Sequence, residues 1–399
     1  MPRLSPRRCD SSPTIPIAAT ASASPAERSS SATTAGRRSS DGGCAKSESS
    51  RAAGRRRSPI WPANKPASRA PDVQLGWIGV HREGLPALRA VLEAGIPLQC
   101  VLTLDDDLAA RRSGAADYSE LCREFGVRLE RVRHINDPQS LELLDSLSLD
   151  VAFVIGWSQI VGPAALSRVR LGMIGAHASL LPLDRGRAPI NWALIHGCEQ
   201  TGNSLIWLAA DVDSGDIIDQ TPIPITRYDT CASLYDRVAE SNRTMILQVI
   251  PELLAGRRPG HPQPPGAGAP LPGRRPADGA LDWSMRAAAA YDFVRALTRP
   301  YPGAFGWLDG VRYTIWASAL LPASLAPPAT PGSVVGPVYS PIPEACGQLV
   351  ACGDGHLILL ELEDEHGSVV DKRSLSERQW TGKVWQSAGE TRAGGGGAP

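Results

Sequence analysis

The feature that most restricts the fold is an alternation of apolar and amphipathic segments that begins at residue 73. Residues 73–80, VQLGWIGV, are almost continuously apolar, as expected of a strand buried on both faces of a parallel sheet. The segment 85–93 repeats leucine at helical spacing and is followed by Gly95, a residue typical of a helix C-terminus. Strand and helix patterns continue to alternate after it. The sequence therefore predicts an α/β sheet with helices on its faces.

The same alternation gives the other elements of this region. The predicted strands are 98–104, 127–132, 151–155, 171–175 and 204–208, and the predicted helices are 118–125, 138–147 and 190–195. In sheets of this class ligands bind where the strands end, so we expect the functional loops at the carboxyl ends of the strands.

A second region follows a segment rich in proline and glycine. Residues 257–276, RRPGHPQPPGAGAPLPGRRP, contain seven prolines, which excludes a helix or an inner strand and predicts a linker between two domains. Beyond it the pattern predicts a helix at 285–298 and strands at 304–308, 311–320, 334–339, 348–352 and 356–363. Gly353-Asp354-Gly355 is typical of a hairpin turn, and short strands of this kind indicate a small β-barrel.

The two ends of the chain lack any periodic pattern. Residues 1–72 are rich in serine, alanine, proline and arginine, and we expect a disordered extension or translated sequence upstream of the true start. A transit peptide and a basic binding tail are the alternatives. Residues 386–399 are expected to form a disordered tail.

Charge is distributed unevenly along the chain. The formal net charge is zero, but residues 1–72 hold 13 Lys and Arg against five acidic residues, so the remainder is acidic. An acidic folded part argues against a protein that grips long nucleic acid. No apolar run is long enough for a membrane span, and the eight cysteines form no CxxC motif, so we expect a cytoplasmic protein without a membrane partner or bound metal.

Two side chains near predicted strand ends could carry chemistry. His177 follows the strand 171–175, and Asp213 follows the strand 204–208. A carboxylate beside an imidazole favours its charged form, which can donate a proton or stabilise an oxyanion. From these residues alone the pairing is a weak signal, because a histidine at a strand end is more often a hydrogen-bonded structural residue and Asp-Ser-Gly is typical of a simple Asx turn.

The longer motif around these residues resembles a known family. The segment HASLLPLDRGRAPINWALIHG (177–197), followed by TGNSLIWLAADVDSGDIIDQ (201–220), is similar to the 10-formyltetrahydrofolate-dependent formyltransferases. This superfamily includes methionyl-tRNA formyltransferase, glycinamide ribonucleotide transformylase and the amino-sugar formyltransferases. The resemblance implies a Rossmann-like catalytic domain at 73–256 and an OB-like β-barrel domain at 277–385, with 10-formyltetrahydrofolate as co-substrate and no metal.

The resemblance also implies a mechanism. A substrate amine attacks the formyl carbon, His177 stabilises the oxyanion, and Asp213 keeps the histidine charged and helps to remove the amine proton. The family's asparagine, two residues before the histidine, is replaced by Gly175. Losing one oxyanion donor typically costs about 10²–10³ in rate. Another donor could substitute, the reaction could be slow, or the chain could be a non-catalytic binder of folate or amine.

Further site residues are implied by their positions in the motif. The implied pterin-binding residues are Gln159, Ile160, Val161, Ala209, Ala210, Asp211 and Val212. The implied supporting loop contains Ser179, Leu180, Pro182, Arg185 and Gly186.

The acceptor amine is less constrained. The acidic balance of 277–399, the carboxylates of Asp105–Asp107 and the likeness of 294–305 to the amino-arabinose formyltransferase favour a small amine such as an amino-sugar nucleotide. The segment 331–363 instead resembles the terminal barrel of the tRNA enzyme, which keeps initiator Met-tRNA as the alternative. The linker arginines Arg257, Arg258, Arg274 and Arg275 could contact phosphate or remain solvated.

Overall fold

A computed structural model of the chain describes residues 73–265, 268–321, 328–340 and 346–387. The predicted extension 1–72 lies outside these residues, as does the chain from 388 onward. Within the described ranges the strands form two sheets of seven strands each. No helix of the described ranges combines the length and the apolar character that a membrane crossing requires.

The first sheet is the α/β sheet that the sequence predicts. Its strands are β1 (Leu75–Ile78), β2 (Val101–Leu104), β3 (Leu129–Val132), β4 (Val151–Val154), β5 (Gly172–His177), β6 (Gln200–Trp207) and β7 (Ile217–Pro224). They lie in the order β3-β2-β1-β4-β5-β6-β7. The first five strands are parallel, whereas β6 and β7 are antiparallel to their neighbours. This is a Rossmann-like sheet with an antiparallel edge.

Helices cover the first sheet and connect it to the second. They are α1 (Leu85–Glu93), α2 (Asp106–Ala109), α3 (Ser119–Phe125), α4 (Pro138–Leu147), α5 (Pro163–Leu166), α6 (Pro189–Ile195), α7 (Cys231–Leu254), α8 (Ala287–Leu297) and α9 (Lys372–Ser376). Helix α7, which is 24 residues long, is not among the helices that the sequence pattern predicts. Its N-terminus is fixed by a capping box between Thr230 and Ser233, and Met245 and Ile246 pack into the same core as Leu88 of α1.

The second sheet is antiparallel throughout. Its strands are β8 (Ala304–Leu308), β9 (Val311–Leu321), β10 (Val334–Val338), β11 (Gly347–Ala351), β12 (His356–Asp364), β13 (Val369–Val370) and β14 (Trp385–Gln386). They run in the order β10-β11-β12-β9-β8-β14, with β13 on β12. One bridge, Ser333 with Val384, links the two edges. The predicted barrel is thus a curled half-barrel.

The chain stays in this sheet past the boundary that the sequence predicts. Gln386 pairs with Trp307 on β8, whereas the sequence assigns residue 386 to a disordered tail. The indole of Trp385 is fully buried and packs against Trp283. An apolar core that includes both tryptophans extends to Ile190 and Leu194 of α6. The same core therefore supports the second sheet and the helix that follows the His177 loop.

Candidate active site

His177 is the last residue of β5, and its imidazole is 7% exposed. Its Nδ1 lies 3.4 Å from Oδ2 of Asp213, and its Nε2 lies 2.8 Å from the carbonyl oxygen of Asp184. Each ring nitrogen thus faces an oxygen acceptor.

Asp213 reaches His177 through a bend in the connection between β6 and β7. Because β6 is antiparallel to β5, Trp207 at its end lies opposite Ile174, and the following loop must fold back toward His177. Asp213 adopts the left-handed conformation with φ of 49°. Its Oδ2 also accepts a hydrogen bond of 2.9 Å from the amide of Gly186. The carboxylate is thereby held between the two loops of the site.

The loop after His177 is anchored to β6 and β7. Ser204 of β6 accepts from the Leu181 amide at 3.1 Å and donates to the carbonyl of Ser179 at 2.6 Å. Gln220 of β7 donates to the carbonyl of Leu181 and to the Ser204 hydroxyl. The sequence analysis did not single out Ser204 or Gln220. Their polar side chains lie within β6 and β7, where only strand pairing reveals their partners.

The remaining supporting residues take different positions. Leu180 packs over Gly202, where a Cβ would lie 2.4 Å from Leu180 Cδ2, and Ser179 Oγ donates to the Leu183 carbonyl. Pro182 follows a cis peptide bond and is partly exposed. These contacts hold the loop as a compact turn beside the histidine.

Arg185 of this loop extends to the segment predicted to be a linker. Its guanidinium donates to Oε1 of Gln263. The Nε2 of Gln263 donates to the carbonyls of Asp213 at 2.7 Å and Gly215 at 2.8 Å. One glutamine side chain therefore connects the loop of the histidine with the loop of the aspartate.

The main chain of this segment is also bonded to the site. His261 and Ile217 exchange two backbone hydrogen bonds of 2.8 and 2.9 Å. Leu271 donates to the Arg185 carbonyl and accepts from the Arg187 amide. A side chain at Gly186 would collide with the Leu271 backbone at 2.5 Å. The segment thus forms part of the site rather than a free spacer.

Gly175 lies on β5, two residues before His177, and has no amide side chain to offer. A Cβ at this position would lie 2.5 Å from Cδ2 of Leu208. The space beside Gly175 is therefore filled by an apolar side chain from the start of the Asp213 loop.

The predicted pterin segments are only partly open. The side chain of Gln159 is bonded to the backbone of Arg133 and Ile135, and Val161 is buried in a core under the sheet. Ile160, by contrast, is 74% exposed. In the other segment, Ala209, Ala210 and Asp211 are exposed, and Val212 is half exposed. The outward apolar surface is thus contributed by Ile160 and Val212.

The acidic residues Asp105, Asp106 and Asp107 pair with arginines of the protein itself. Arg133 pairs with Asp105 at 3.1 Å and with Asp107 at 3.3 Å, and Arg131 pairs with Asp106 at 3.0 Å. The three carboxylates are therefore neutralised locally. In the parts of the chain that the structure describes, no three His, Cys, Asp or Glu side chains group as they would around a metal ion.

The linker arginines also separate into two groups. Arg257 pairs with Glu252, and Arg258 pairs with Asp216 at 3.1 Å while lying over the Trp207 ring. Arg274 and Arg275 instead line a cavity. Only the second group is placed to meet a ligand there.

Comparison with known proteins agrees with this arrangement. The family model for the formyl transferase domain matches residues 96–250, and the model for the formyl transferase C-terminal domain matches residues 274–379. The two models thus cover the Rossmann-like sheet with the buried His–Asp pair and the antiparallel half-barrel that follows it. The chain belongs to the formyltransferase superfamily.

Solved structures share the fold at low sequence identity. HypX from Aquifex aeolicus, in complex with tetrahydrofolic acid, is 14% identical with a TM-score of 0.52, and the match covers 75% of this chain and 46% of that one. The chain therefore spans about half the length of the HypX structure. WlaRD, a sugar 3N-formyl transferase crystallised with dTDP and 5-N-formyl-THF, is 13% identical with a TM-score of 0.52, and the match covers 73% and 98% of the two chains.

Proposed function

We propose that the protein transfers a formyl group from 10-formyltetrahydrofolate to a primary amine. The observation that carries the proposal is the buried His177–Asp213 pair at 3.4 Å, within a chain that belongs to the formyltransferase superfamily. Structures of the same fold contain tetrahydrofolic acid in HypX and 5-N-formyl-THF in WlaRD. The exposed apolar side chains of Ile160 and Val212 suit the ring of such a molecule.

In this mechanism the folate supplies an activated formyl group, and the protein stabilises the charge that develops. When the amine attacks the formyl carbon, negative charge collects on the formyl oxygen. Nε2 of His177 donates to that oxygen in place of the Asp184 carbonyl that it now contacts. Asp213 stabilises the positive imidazolium and accepts the proton that the amine releases. The intermediate then collapses: the bond between the formyl carbon and N10 of the folate breaks, and N10 takes up the released proton as tetrahydrofolate leaves.

Gly175 supplies no hydrogen-bond donor at the position where the family has an asparagine. No side-chain amide extends from this position, and Leu208 fills the adjacent space. We assign oxyanion stabilisation to His177 alone among the family's two side-chain donors, which predicts a slow enzyme, by about 10²–10³ in rate. The same observation favours the second candidate, a protein that binds folate or amine without turnover.

We assign catalysis to residues 73–256 and place the acceptor amine among small molecules, with an amino-sugar nucleotide ahead of initiator Met-tRNA. The acidic balance of residues 277–399 supports a small acceptor. WlaRD, which acts on a sugar and was crystallised with dTDP, matches over 98% of its length. A cytoplasmic location remains part of the proposal.

A competition assay tests this function. Purified protein is given radiolabelled 10-formyltetrahydrofolate together with a panel of amino-sugar nucleotides and charged initiator tRNA, and the labelled products are separated. We expect the label on a small amine, and none with His177→Ala. Label on the tRNA alone supports the Met-tRNA alternative, and folate binding without any product supports the non-catalytic one.

A further inference from the structure

A second histidine–carboxylate pair lies in the loop after β1, outside the site described above. Nδ1 of His81 lies 3.7 Å from Oε1 of Glu83, and both side chains are largely buried. The Nε2 of His81 is buried and has no hydrogen-bond partner in the described ranges. A buried polar atom that the fold leaves unbonded needs an explanation, and a catalytic role is one. His177 differs in this respect, because its Nε2 is bonded to the Asp184 carbonyl.

The main chain that carries His81 is held in place by its neighbours. The amides of Val80 and His81 both donate to the carbonyl of Gly156, each at 3.0 Å, and the Tyr118 hydroxyl donates to the His81 carbonyl at 2.8 Å. Gly156 has a φ of 63°, and a Cβ there would lie 3.1 Å from the Cβ of His81. The imidazole therefore starts from a fixed position, as a preorganised catalytic group does.

Strand order places His81 and His177 at the same edge of the first sheet. β4 lies between β1 and β5, and Val154 is paired with Ile78 on one side and with Gly175 on the other. His81 comes three residues after Ile78, and His177 comes two residues after Gly175. Two strand spacings of about 4.8 Å put their backbones about 10 Å apart across the sheet. That interval leaves room for one small group between the two imidazoles.

His81 and Glu83 line a cavity whose charge is mostly positive. Within the described chain, Glu83 is the one carboxylate that lines this cavity. The lining arginines are Arg82, Arg111, Arg112, Arg187, Arg274 and Arg275. Nearby positive charge disfavours an ammonium group and favours the neutral amine. The Glu83 carboxylate offsets the same repulsion for a proton that His81 takes up.

The other titratable groups near His81 come from neighbouring elements. Asp236 of α7 is exposed and pairs with Arg82 at 3.4 Å. Three phenols surround the cavity loop, and burial raises the pKa of each above its ordinary value, which keeps them neutral: Tyr118 before α3, Tyr235 of α7 and Tyr301. Among these side-chain types, imidazole is the one suited to exchange protons near neutral pH.

The proposed reaction needs such a base. Alkyl amines are mostly protonated at neutral pH, and an ammonium group has no lone pair with which to attack a formyl carbon. In the mechanism above, Asp213 accepts the proton that the nitrogen releases once it has attacked. An earlier proton must therefore leave the ammonium group before the attack.

We propose that His81 is the general base that removes this earlier proton, with Glu83 as its positioning residue. This rests on the proposed function, since it supplies a step that precedes formyl transfer. The neutral imidazole carries its hydrogen on Nδ1, toward Glu83, and the lone pair of Nε2 takes a proton from R–NH3⁺. The step yields R–NH2 and an imidazolium, which later returns the proton to solvent. The lone pair freed on the nitrogen then attacks the formyl carbon.

The test measures how the loss of His81 depends on pH. The acceptor is the amino-sugar nucleotide that the competition assay selects, and kcat/KM is measured between about pH 6 and 10. The chains compared are the wild type, His81→Gln, Glu83→Gln and His366→Gln, a control at an exposed histidine.

We expect His81→Gln to lower kcat/KM about 10²–10³-fold at neutral pH, a typical contribution of a general base. The loss should shrink as the pH approaches the pKa of the acceptor amine, because the free amine then forms without the enzyme. Glu83→Gln should cost about tenfold at neutral pH and recover in the same way, since it removes the charge that supports the imidazolium. His366→Gln should match the wild type throughout.

A purely structural role for His81 gives a different pattern, namely the same fold loss at every pH with a lower melting temperature. That pattern, or full activity of His81→Gln at neutral pH, overturns this inference while the proposed function stands. If His81→Gln does not fold, a loss in Glu83→Gln that stays constant with pH overturns it instead. A wild-type chain that transfers no formyl group at any pH overturns the proposed function and this inference together.

Discussion

The His177–Asp213 pair and a neighbouring cavity lined by six arginines share the loop 184–188, yet their polar groups differ in how they are bonded. Around the pair, both imidazole nitrogens and the carboxylate already have partners within the protein. Around the cavity, five of the six lining arginines, namely Arg111, Arg112, Arg187, Arg274 and Arg275, lack ion pairs within the described chain. The comparison separates polar groups that the fold holds in one geometry from polar groups that have no charged partner within the described chain.

The largest effect is expected at the fixed pair. His177→Ala should lower the formyl transfer rate about 10³-fold, because it removes the donor to the formyl oxygen. Single-turnover kinetics measure this loss. The control His366→Ala removes a histidine that is 81% exposed and should be silent. Full activity in His177→Ala would contradict the mechanism.

A second substitution, Gly175→Asn, adds the side-chain amide donor that the family has at this position. Gly175→Asn alone should destabilise the fold by about 1–3 kcal/mol, because its Cβ would lie 2.5 Å from Leu208 Cδ2. Adding Leu208→Ala should recover the melting temperature and raise kcat about 10²-fold. A double variant that is stable but no faster would show that the amide is not what limits the rate.

A third change tests the bond between the two loops. Gln263→Ala removes the donor to the carbonyls of Asp213 and Gly215, so the carboxylate loses part of its positioning. We expect kcat to fall about tenfold with KM nearly constant, consistent with a typical hydrogen-bond contribution. Gln139→Ala on the exposed face of α4 is the matched control. A rise in KM without a change in kcat would point to substrate binding instead.

The smallest effect on catalysis is expected at Asp229, a carboxylate as fully bonded as Asp213 but away from the loops of the active site. Burial opposes its ionisation, but hydrogen bonds from Thr226, Ser233 and Arg237 outweigh burial and lower the pKa of Asp229 from 3.8 to about 2. Because the folded pKa is the lower one, the ionised group stabilises the fold above about pH 4 and this contribution is lost toward pH 2.

Asp229→Asn should therefore lower the free energy of unfolding at neutral pH by about 1–3 kcal/mol and flatten its decline between pH 4 and 2, with kcat unchanged. Urea titrations across this range measure it. Asp236→Asn, at an exposed carboxylate, serves as the control. An unchanged pH dependence in Asp229→Asn would mean that these hydrogen bonds do not hold the ionised form.

Local patterns account for what the sequence predicts well. Helices α1 and α4 have the bounds 85–93 and 138–147 that the sequence predicts, because spaced leucines and adjacent prolines and glycines act within one segment. The position of α7 was missed, and its polar run between Val238 and Met245 interrupts the apolar spacing. The antiparallel direction of β6 follows from pairing with β5, which no local pattern encodes.

Some residues of the candidate site can be recognised in the sequence, and others become visible only in the folded chain. A strand-end histidine and an Asp-Ser-Gly turn can be recognised in the sequence, and the structure brings His177 and Asp213 to 3.4 Å. Leu208 beside Gly175 and Gln263 across from Asp213 depend on contacts between distant segments. A proline-rich composition predicts irregular backbone, but it does not show what that backbone touches.

His261 is bonded to β7, and Gln263 and Leu271 are bonded to the two loops of the candidate site, which affects how this chain can be recombined with its relatives. A chimaera joined at residue 256 would replace His261, Gln263 and Leu271 together with the C-terminal half. The loops of the candidate site would then lose the hydrogen bonds that these residues make. A chimaera joined after Pro276 keeps these three residues in the same chain as the first sheet, so their hydrogen bonds are preserved.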